Sequence, residues 1–323
     1  MTSQQPPAFR NQTQRGLFRR TPPAIFPPVM GLFGLGLAWR RGTEAVGLAP
    51  GLAEALLGAV TLLYLFALLA YLAKVARRPG VVAEDLRILP GRAGLTAANL
   101  SGMLLAAALV PYAPGLALGV LIAAMVAHVL LGLTLLRLFL TGPEEARVIT
   151  PVWHLTYVGY IIAPLSLIPL GYAGLAQGIL YATIPVAVAI WAVSLYQIAT
   201  RIPPAPLRPL LAIHLAPASL FATVAAMLGL GGLATGFLVL ALAILLVLLA
   251  AGVWLTQSGF SALWGAFTFP IAACASALLV NGWQVSGLLV LAAATGIVVT
   301  IAVKVMQAWA KGGLAVKTNA AQA

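Results

Sequence analysis

Side chains that could do chemistry are scarce in the apolar stretches of this sequence. Glu54 begins the second apolar stretch, and His128, His154 and His214 lie within or near the ends of others. No Asp or Glu lies near the middle of the stretches assigned below to the inside of the protein. Carriers that couple transport to protons or sodium usually hold the coupling ion on buried carboxylates or histidine chains. The scarcity therefore favours passive conduction over coupled transport.

Catalytic and metal chemistry lack the residues that they need. A membrane-embedded enzyme would require a cluster such as His-x-x-x-His, paired aspartates or an activated serine, and the sequence contains none. The single cysteine, Cys274, cannot form an intrachain disulfide, and no Cys/His group has metal-ligand spacing. We therefore expect no catalytic residue, no metal and no cofactor.

The histidines have two interpretations each. His154 and His214 could protonate near neutral pH and make transport pH-sensitive, although a histidine at a helix end is more often an interfacial hydrogen-bond donor. His128 lies in an otherwise apolar stretch, which favours a buried contact with a neighbouring helix or a second protomer over a functional role.

Composition indicates which solvent surrounds these residues. Hydrophobic residues make up 62% of the chain and charged residues 7%, whereas soluble domains carry about 25% charged residues. Lipid is therefore the main solvent, and we expect an all-α integral membrane domain at 23–310 between tails at 1–22 and 311–323. Turn residues separate ten stretches long enough to be transmembrane helices. These stretches are 24–39, 52–74, 94–111, 115–139, 153–170, 173–199, 209–229, 232–255, 261–280 and 284–309.

The distribution of Lys and Arg predicts the orientation. With both termini in the cytoplasm, sixteen of the eighteen Lys and Arg residues lie on the cytoplasmic side, and only Arg40 and Arg41 lie outside. The net charge of +12 then reflects orientation rather than nucleic-acid binding, because no aromatic-basic stripe accompanies it. Residues 1–22 are polar and have no apolar core, so they are a cytoplasmic tail rather than a signal peptide.

Prolines divide the ten stretches into two classes. Internal prolines occur in the first, fifth, seventh and ninth stretches, but among the even-numbered stretches only in the sixth, at Pro185. A proline exposes a backbone carbonyl, which a membrane tolerates where neighbouring helices or a water-filled cavity satisfy it. The third stretch instead begins with small and polar residues such as Asn99 and Gly102. We predict five helical hairpins, with odd-numbered helices in an inner ring around a central pore and even-numbered helices in an outer ring.

Several motifs resemble one family of transport proteins. They are Phe26 to Gly31 followed by Gly34, Gly36 and Ala38-Trp39-Arg40; Trp153-His154 with Tyr157 to Gly159; His214 to Ser219; and Trp264 to Pro270. This pattern resembles the tellurite-resistance/dicarboxylate transporter family, which includes bacterial TehA proteins and the plant guard-cell slow anion channels. The resemblance implies a homotrimer in a bacterial inner membrane, in which each protomer has its own pore lined by the five odd helices.

The resemblance also implies that a phenylalanine of the ninth helix plugs the pore. Phe269, immediately before Pro270, is the best match to this gate. Phe267 is the alternative in a shifted register, although on a helix it would point elsewhere. The implied function is a gated channel for small monovalent anions. The alternative is an exporter or transporter of C4-dicarboxylates, sulfite or tellurite-type oxyanions, which predicts saturable, proton-dependent flux instead of ohmic current.

An anion path needs a suitable width, little negative charge and weak binding. Arg40 and Arg41 at the outer mouth could raise the local anion concentration, with an attraction of about 1 kcal/mol near contact. Small residues suit a pore, but they also suit close helix packing. The pore-lining candidates are Pro27, Gly31, Gly34, Asn99, Gly102, Tyr157, Pro164, Pro217, Gly265, Pro270 and Ser276. Anions and membrane lipid are the expected partners, and the sequence indicates no regulatory partner.

Overall fold

The computed structural model describes residues 16–143 and 147–323, and every regular element within these ranges is helical. Most of the predicted 1–22 tail, including Arg10 and Arg15, lies outside the described residues. The α-helices are α1 (Phe26–Ala45), α2 (Gly51–Arg77), α3 (Val81–Arg87), α4 (Leu89–Leu109), α5 (Pro114–Thr141), α6 (Pro164–Leu167), α7 (Ala173–Thr200), α8 (Leu215–Met227), α9 (Gly231–Ala250), α10 (Gly252–Leu255), α11 (Thr268–Val280), α12 (Gln284–Ala310) and α13 (Gly313–Lys317).

Seven helical stretches of the described chain are long and apolar enough to cross a membrane, and they differ in burial. Five of them, α2, α5, α7, α9 and α12, are only 22 to 33% buried inside the protein. The other two, 205–227 and 262–280, are 78% and 72% buried. Because exposed helix faces this apolar need an apolar solvent, the chain is a helical integral membrane protein.

The buried helices pack closely against one another through small residues. α1 packs along α11 and also contacts α2, α4 and α12, while α8 packs against α11 and α9. Gly31 of α1 faces the side chain of Thr268 so closely that a Cβ atom at this position would collide with it. Glycine therefore fixes the distance between α1 and α11.

Several buried segments change helix type along their length. 3-10 helices precede α1 (Pro23–Ile25), α8 (Ala205–His214) and α11 (Ala262–Phe267), and a π-helical turn (His154–Val158) followed by a 3-10 turn (Gly159–Ile162) precedes α6. The predicted helix at 153–170 is thus mostly not α-helical. The ring of Pro164 cannot follow a regular α-helical turn, because it would clash with the carbonyl four residues earlier.

The prolines of these segments lie at helix starts and not at internal kinks. Pro27, Pro164, Pro217 and Pro270 all occupy the first turn of an α-helix. The first amide groups of an α-helix have no partner within the helix, so a proline there loses no hydrogen bond. Among the described α-helices, only the lipid-facing α7 has an internal proline, Pro185, while Pro209 lies inside the 3-10 helix that precedes α8.

A buried ion pair joins several parts of the chain at one end of the bundle. The side chains of Lys74 and Asp85 are fully buried, with Nζ 2.8 Å from Oδ2. Lys74 also donates to the carbonyl of Thr21, and Asp85 accepts hydrogen bonds from the hydroxyl of Tyr71 and the backbone N–H of Ala321. We call this end of the bundle the terminal end, and the opposite end, where α1 carries two arginines, the Arg40 end.

Candidate functional site

Two cavities lie inside the bundle, one towards each end. The cavity towards the Arg40 end, about 220 Å³, is lined by Gly34, Arg41, Thr223 and Ser276 among others, and we call it the Arg41 cavity. The cavity towards the terminal end, about 40 Å³, has an apolar lining that includes Leu263, and we call it the apolar cavity. The described chain thus contains a wider cavity with charged and polar residues on part of its lining and a narrow apolar cavity.

The same five segments line both cavities, each in the same direction. Each segment contributes its earlier residues to the apolar cavity and its later residues to the Arg41 cavity. The pairs are Pro27 and Gly34, Ala93 and Ala107, Leu155 and Leu165, Leu210 and Thr223, and Gly265 and Ser276. Five parallel segments therefore surround a common axis on which the two cavities lie.

Phe269 separates the cavities on this axis. Its side chain is only 5% exposed, yet it borders the Arg41 cavity, the apolar cavity and a third space of about 20 Å³, which we call the His154 cavity. The hydroxyl of the preceding Thr268 donates to the carbonyls of Gly265, at 2.7 Å, and Pro27, at 3.2 Å. These bonds fix the start of α11 against α1 and so position the phenylalanine ring.

Gly34 provides the space that this ring occupies. A methyl group on Gly34 would lie 2.8 Å from Cδ2 and 3.1 Å from Cε2 of Phe269. Distances this short are not tolerated between carbon atoms, so the ring and the glycine are matched in shape.

Phe267 occupies a different environment. Its half-buried ring packs at right angles to the ring of Trp264, with 5.8 Å between centroids, and it borders none of the three cavities. Residues two positions apart on a helix point in different directions, which explains why only one of the two phenylalanines faces the axis.

The two arginines at the Arg40 end have different partners, although both border the Arg41 cavity. Arg40 forms a bidentate ion pair with Glu54, at 2.6 and 2.8 Å, and donates to the carbonyls of Ala107 and Ala108. Arg41 donates only a weak bond of 3.6 Å to the sulfur of Met227 among the described residues. Arg41 therefore has no ion pair within 4 Å among the described residues, although Glu44 on the same lining attracts it, whereas Arg40 joins α1 to α2 and α4.

His154 and His214 form a pair beside the axis. Nε2 of His154 lies 3.0 Å from Nδ1 of His214, and His154 borders the His154 cavity. The outer nitrogens of the pair, Nδ1 of His154 and Nε2 of His214, are buried and have no hydrogen-bond partner among the described residues. His128, in contrast, is fully buried and its Nε2 lies 2.9 Å from the carbonyl of Thr156, so it connects α5 to the π-helical turn.

The structure brings together some of the predicted pore residues and not others. The residues that border one of the three cavities are Pro27, Gly34, Pro217, Gly265, Pro270 and Ser276. The residues that do not are Gly31, Asn99, Gly102, Tyr157 and Pro164. Gly102 instead faces Ala124 and Tyr64 of outer helices, and the Tyr157 hydroxyl donates to the carbonyl of Gly132 on α5.

Three leucines that the sequence did not single out lie at the terminal end of the axis. Leu155, Leu210 and Leu263 come from three different segments, and they pack into one apolar cluster that also contains Val152 and Ile213. Isolated leucines in an apolar sequence give no signal of such convergence. Among the described residues, no group of three or more His, Cys, Asp or Glu could hold a metal ion.

The fold and the site define a class of protein, namely a helical membrane protein in which a cavity bordered by charged residues, an aromatic ring and an apolar cavity lie on one axis. A family model described as SLAC1, voltage-dependent anion channel, matches residues 20–308. Because this match covers most of the chain, the chain belongs to the SLAC1 family and is a homologue of the TehA-like proteins that the sequence resembles. A comparison with curated proteins finds no match.

Proposed function

We propose that this protein is a gated anion channel whose path runs along the axis of the five inner segments and is occluded by Phe269. The observation that carries the proposal is the position of this ring, which borders the cavities on both of its sides. In this proposal the ten helical segments form five hairpins, the lipid-facing helices form the wall, and the chain assembles as a homotrimer with one path per protomer.

The electrostatics of the path support anions as the permeant species. Arg41 contributes positive charge to the wide cavity, and Glu44, the acidic residue on its lining, is exposed at its rim. No acidic side chain of the described residues lines the apolar cavity or the His154 cavity. A weak attraction at the entrance, without a strong binding site further in, suits conduction because ions must also leave.

The orientation that we propose rests on the distribution of Lys and Arg between the two ends of the bundle. The helix ends at the terminal end carry most of the Lys and Arg residues, whereas the opposite end carries Arg40 and Arg41. Under the positive-inside rule this distribution supports a terminal end in the cytoplasm and an Arg41 cavity that faces the outside of a bacterial inner membrane.

The histidine pair supports a role in pH sensing within this channel. A neutral pair shares one hydrogen between nitrogens 3.0 Å apart. Protonation of both rings would put a hydrogen on each of the facing nitrogens and place two cations in contact, which separates the rings and changes the wall of the adjacent cavity.

Replacement of Phe269 by Ala tests the proposed gate. In planar bilayers the F269A protein should carry chloride and nitrate currents well above background, because loss of the ring joins the cavities on either side. F267A is the matched control, since it removes an identical ring from a position that borders none of these cavities. Background currents from correctly inserted F269A protein, or equal currents from both variants, would rule out this gate.

The same recordings separate a channel from a carrier. A channel gives currents that rise linearly with driving force, whereas an exporter of C4-dicarboxylates, sulfite or tellurite-type oxyanions gives saturable, proton-dependent flux. Saturable malate or sulfite flux through the wild-type protein, with no ohmic current in F269A, would favour the exporter.

A further inference from the structure

A separate cavity of about 440 Å³ lies beside α4 at the terminal end, away from the axis. The start of α4, the end of α5 and the π-helical turn surround it. Its lining combines two arginines, Arg87 and Arg92, with the aromatic residues Phe139, Trp153 and Tyr157. We call it the Arg92 cavity. It does not lie on the proposed ion path, so the proposed function gives it no role.

Arg92 has no charge partner among the described residues. Its side chain is half-buried, and its Nε atom is buried without a hydrogen-bond partner among the described residues. Leaving a buried donor of a charged group unsatisfied is costly, so such a group normally binds an ion or a ligand. Arg87, which is exposed, lines the same cavity and doubles its positive charge.

The described acidic side chains of the neighbouring α3 are already engaged. Glu84 forms a bidentate pair with Arg78, at 2.7 and 2.8 Å, which also lowers the pKa of this carboxyl group. Asp85 is held in its pair with Lys74. The two arginines of the Arg92 cavity therefore face a space in which an external anion can satisfy them.

The aromatic wall indicates an anion that carries an apolar part. Phe139 packs edge-on against Trp153, with 4.7 Å between ring centroids, and Trp153 lies 4.9 Å from Tyr157. Leu135 and Leu138 of α5 continue this wall along a helix that is only 22% buried and so faces lipid. α5 has 28 residues, more than the roughly 20 that cross the hydrocarbon of a membrane, so we place its end at Thr141 at the level of the headgroups.

We propose that the Arg92 cavity binds the headgroup of an acidic phospholipid. Arg87 and Arg92 hold the phosphate, which suits the planar donor fork of a guanidinium, and the first part of an acyl chain lies along Phe139 and α5. Basic pockets between helices at the cytoplasmic surface are a recurring type of lipid site. Free inorganic phosphate would use the arginines but leave the apolar wall without a role.

Native mass spectrometry of the full-length protein in detergent tests the proposal. Wild-type protein titrated with dioleoylphosphatidylglycerol should retain one tightly bound lipid per protomer, and dioleoylphosphatidylcholine should bind more weakly. The R87Q/R92Q variant should bind phosphatidylglycerol about 25-fold more weakly, at about fivefold for each arginine. The single variant R87Q, which changes an exposed side chain, should show the fivefold effect even if the double variant folds poorly.

The control variant R137Q/R201Q removes the same charge from two exposed arginines at the terminal end that do not line the Arg92 cavity. Equal loss of lipid from both double variants would refute a specific site, as would equal retention of the two lipids. Saturation by inorganic phosphate alone would refute a lipid. A change in oligomer mass without loss of lipid would instead assign the cavity to a second copy of the chain.

One variant tests two carboxylates that follow the cavity lining in the sequence. Glu144 and Glu145 follow Pro143 of the cavity lining and lie outside the described residues. E144Q/E145Q should bind phosphatidylglycerol with the affinity of the wild-type protein. Markedly tighter binding would show that these carboxylates hold the arginines in the wild-type protein, which would overturn the proposal. Because the readout is binding, it is independent of whether Phe269 gates a current.

Discussion

Replacement of Gly34 by Ala would move the ring of Phe269 without removing it. The added methyl group would lie 2.8 Å from Cδ2 of the ring, and ordinary contact begins at 3.4 Å, so the ring must shift by about 0.6 Å. Overpacking of this kind costs about 1 to 3 kcal/mol, which the better helix propensity of Ala offsets by about 1 kcal/mol. If the ring blocks the path, G34A should carry more current than the wild-type protein and less than F269A.

A double-mutant cycle with F269A separates this effect from general loss of stability. Once the ring is absent, the methyl group meets no obstacle, so the cost of G34A should fall by about 1 to 3 kcal/mol. Free energies of unfolding from SDS titrations in mixed micelles would measure this coupling. Wild-type current in G34A together with zero coupling would refute the contact between the glycine and the ring.

Gly36 offers a matched control on the same helix. A methyl group there would lie 2.6 Å from Cδ2 of Leu57 on α2, away from the axis. G36A should therefore lower stability to a similar extent, but it should leave the current unchanged and show no coupling to F269A. Increased current in G36A would mean that any distortion of α1 opens the path.

Three further changes test other parts of the structure. Arg41→Gln in the F269A background should lower the anion current about fivefold at low salt and less at high salt, whereas R40Q should reduce thermal stability more than current. H154Q/H214Q should abolish any change of the F269A current as the pH falls from 7 to 4, a range extended to low pH because burial of both rings opposes their protonation; an unchanged pH response would exclude the pair as sensor. Asp85→Asn should lower the free energy of unfolding by about 3 kcal/mol or more, because it leaves a buried lysine unpaired, and wild-type stability would contradict this.

The sequence predicted the apolar segments well because their signal is local. Each predicted stretch overlaps a helical segment of the structure, since hydropathy and turn residues act over about twenty residues. The helix types were harder to predict. The sequence predicts internal kinks at the prolines, but Pro217 and Pro270 lie in the first turn of α-helices that follow 3-10 helices. This difference depends on hydrogen bonds that the neighbouring segments permit.

The candidate site was predictable only in part, because most of its features join distant parts of the chain. The sequence offered Gly34 as a candidate for the path, but it could not show the contact with Phe269, which crosses from α1 to α11. The partner of Arg40, Glu54, could be found only once α1 and α2 were paired, and that pairing leaves Arg41 as the available charge. Tyr157 faces outward because its backbone belongs to a π-helical turn, whose residues follow a different angular spacing from those of an α-helix.

The ion pair of Lys74 and Asp85 has a consequence for the order in which the chain is assembled. The pair and the groups that hydrogen-bond to it belong to residues 21, 71, 74, 85 and 321, which span nearly all of the described chain. During synthesis, Oδ1 of Asp85 cannot receive its hydrogen bond until Ala321, which follows α12 in the chain, has been made. The hydrogen bonds of the terminal end can therefore be completed only after every lipid-facing helix has been synthesised.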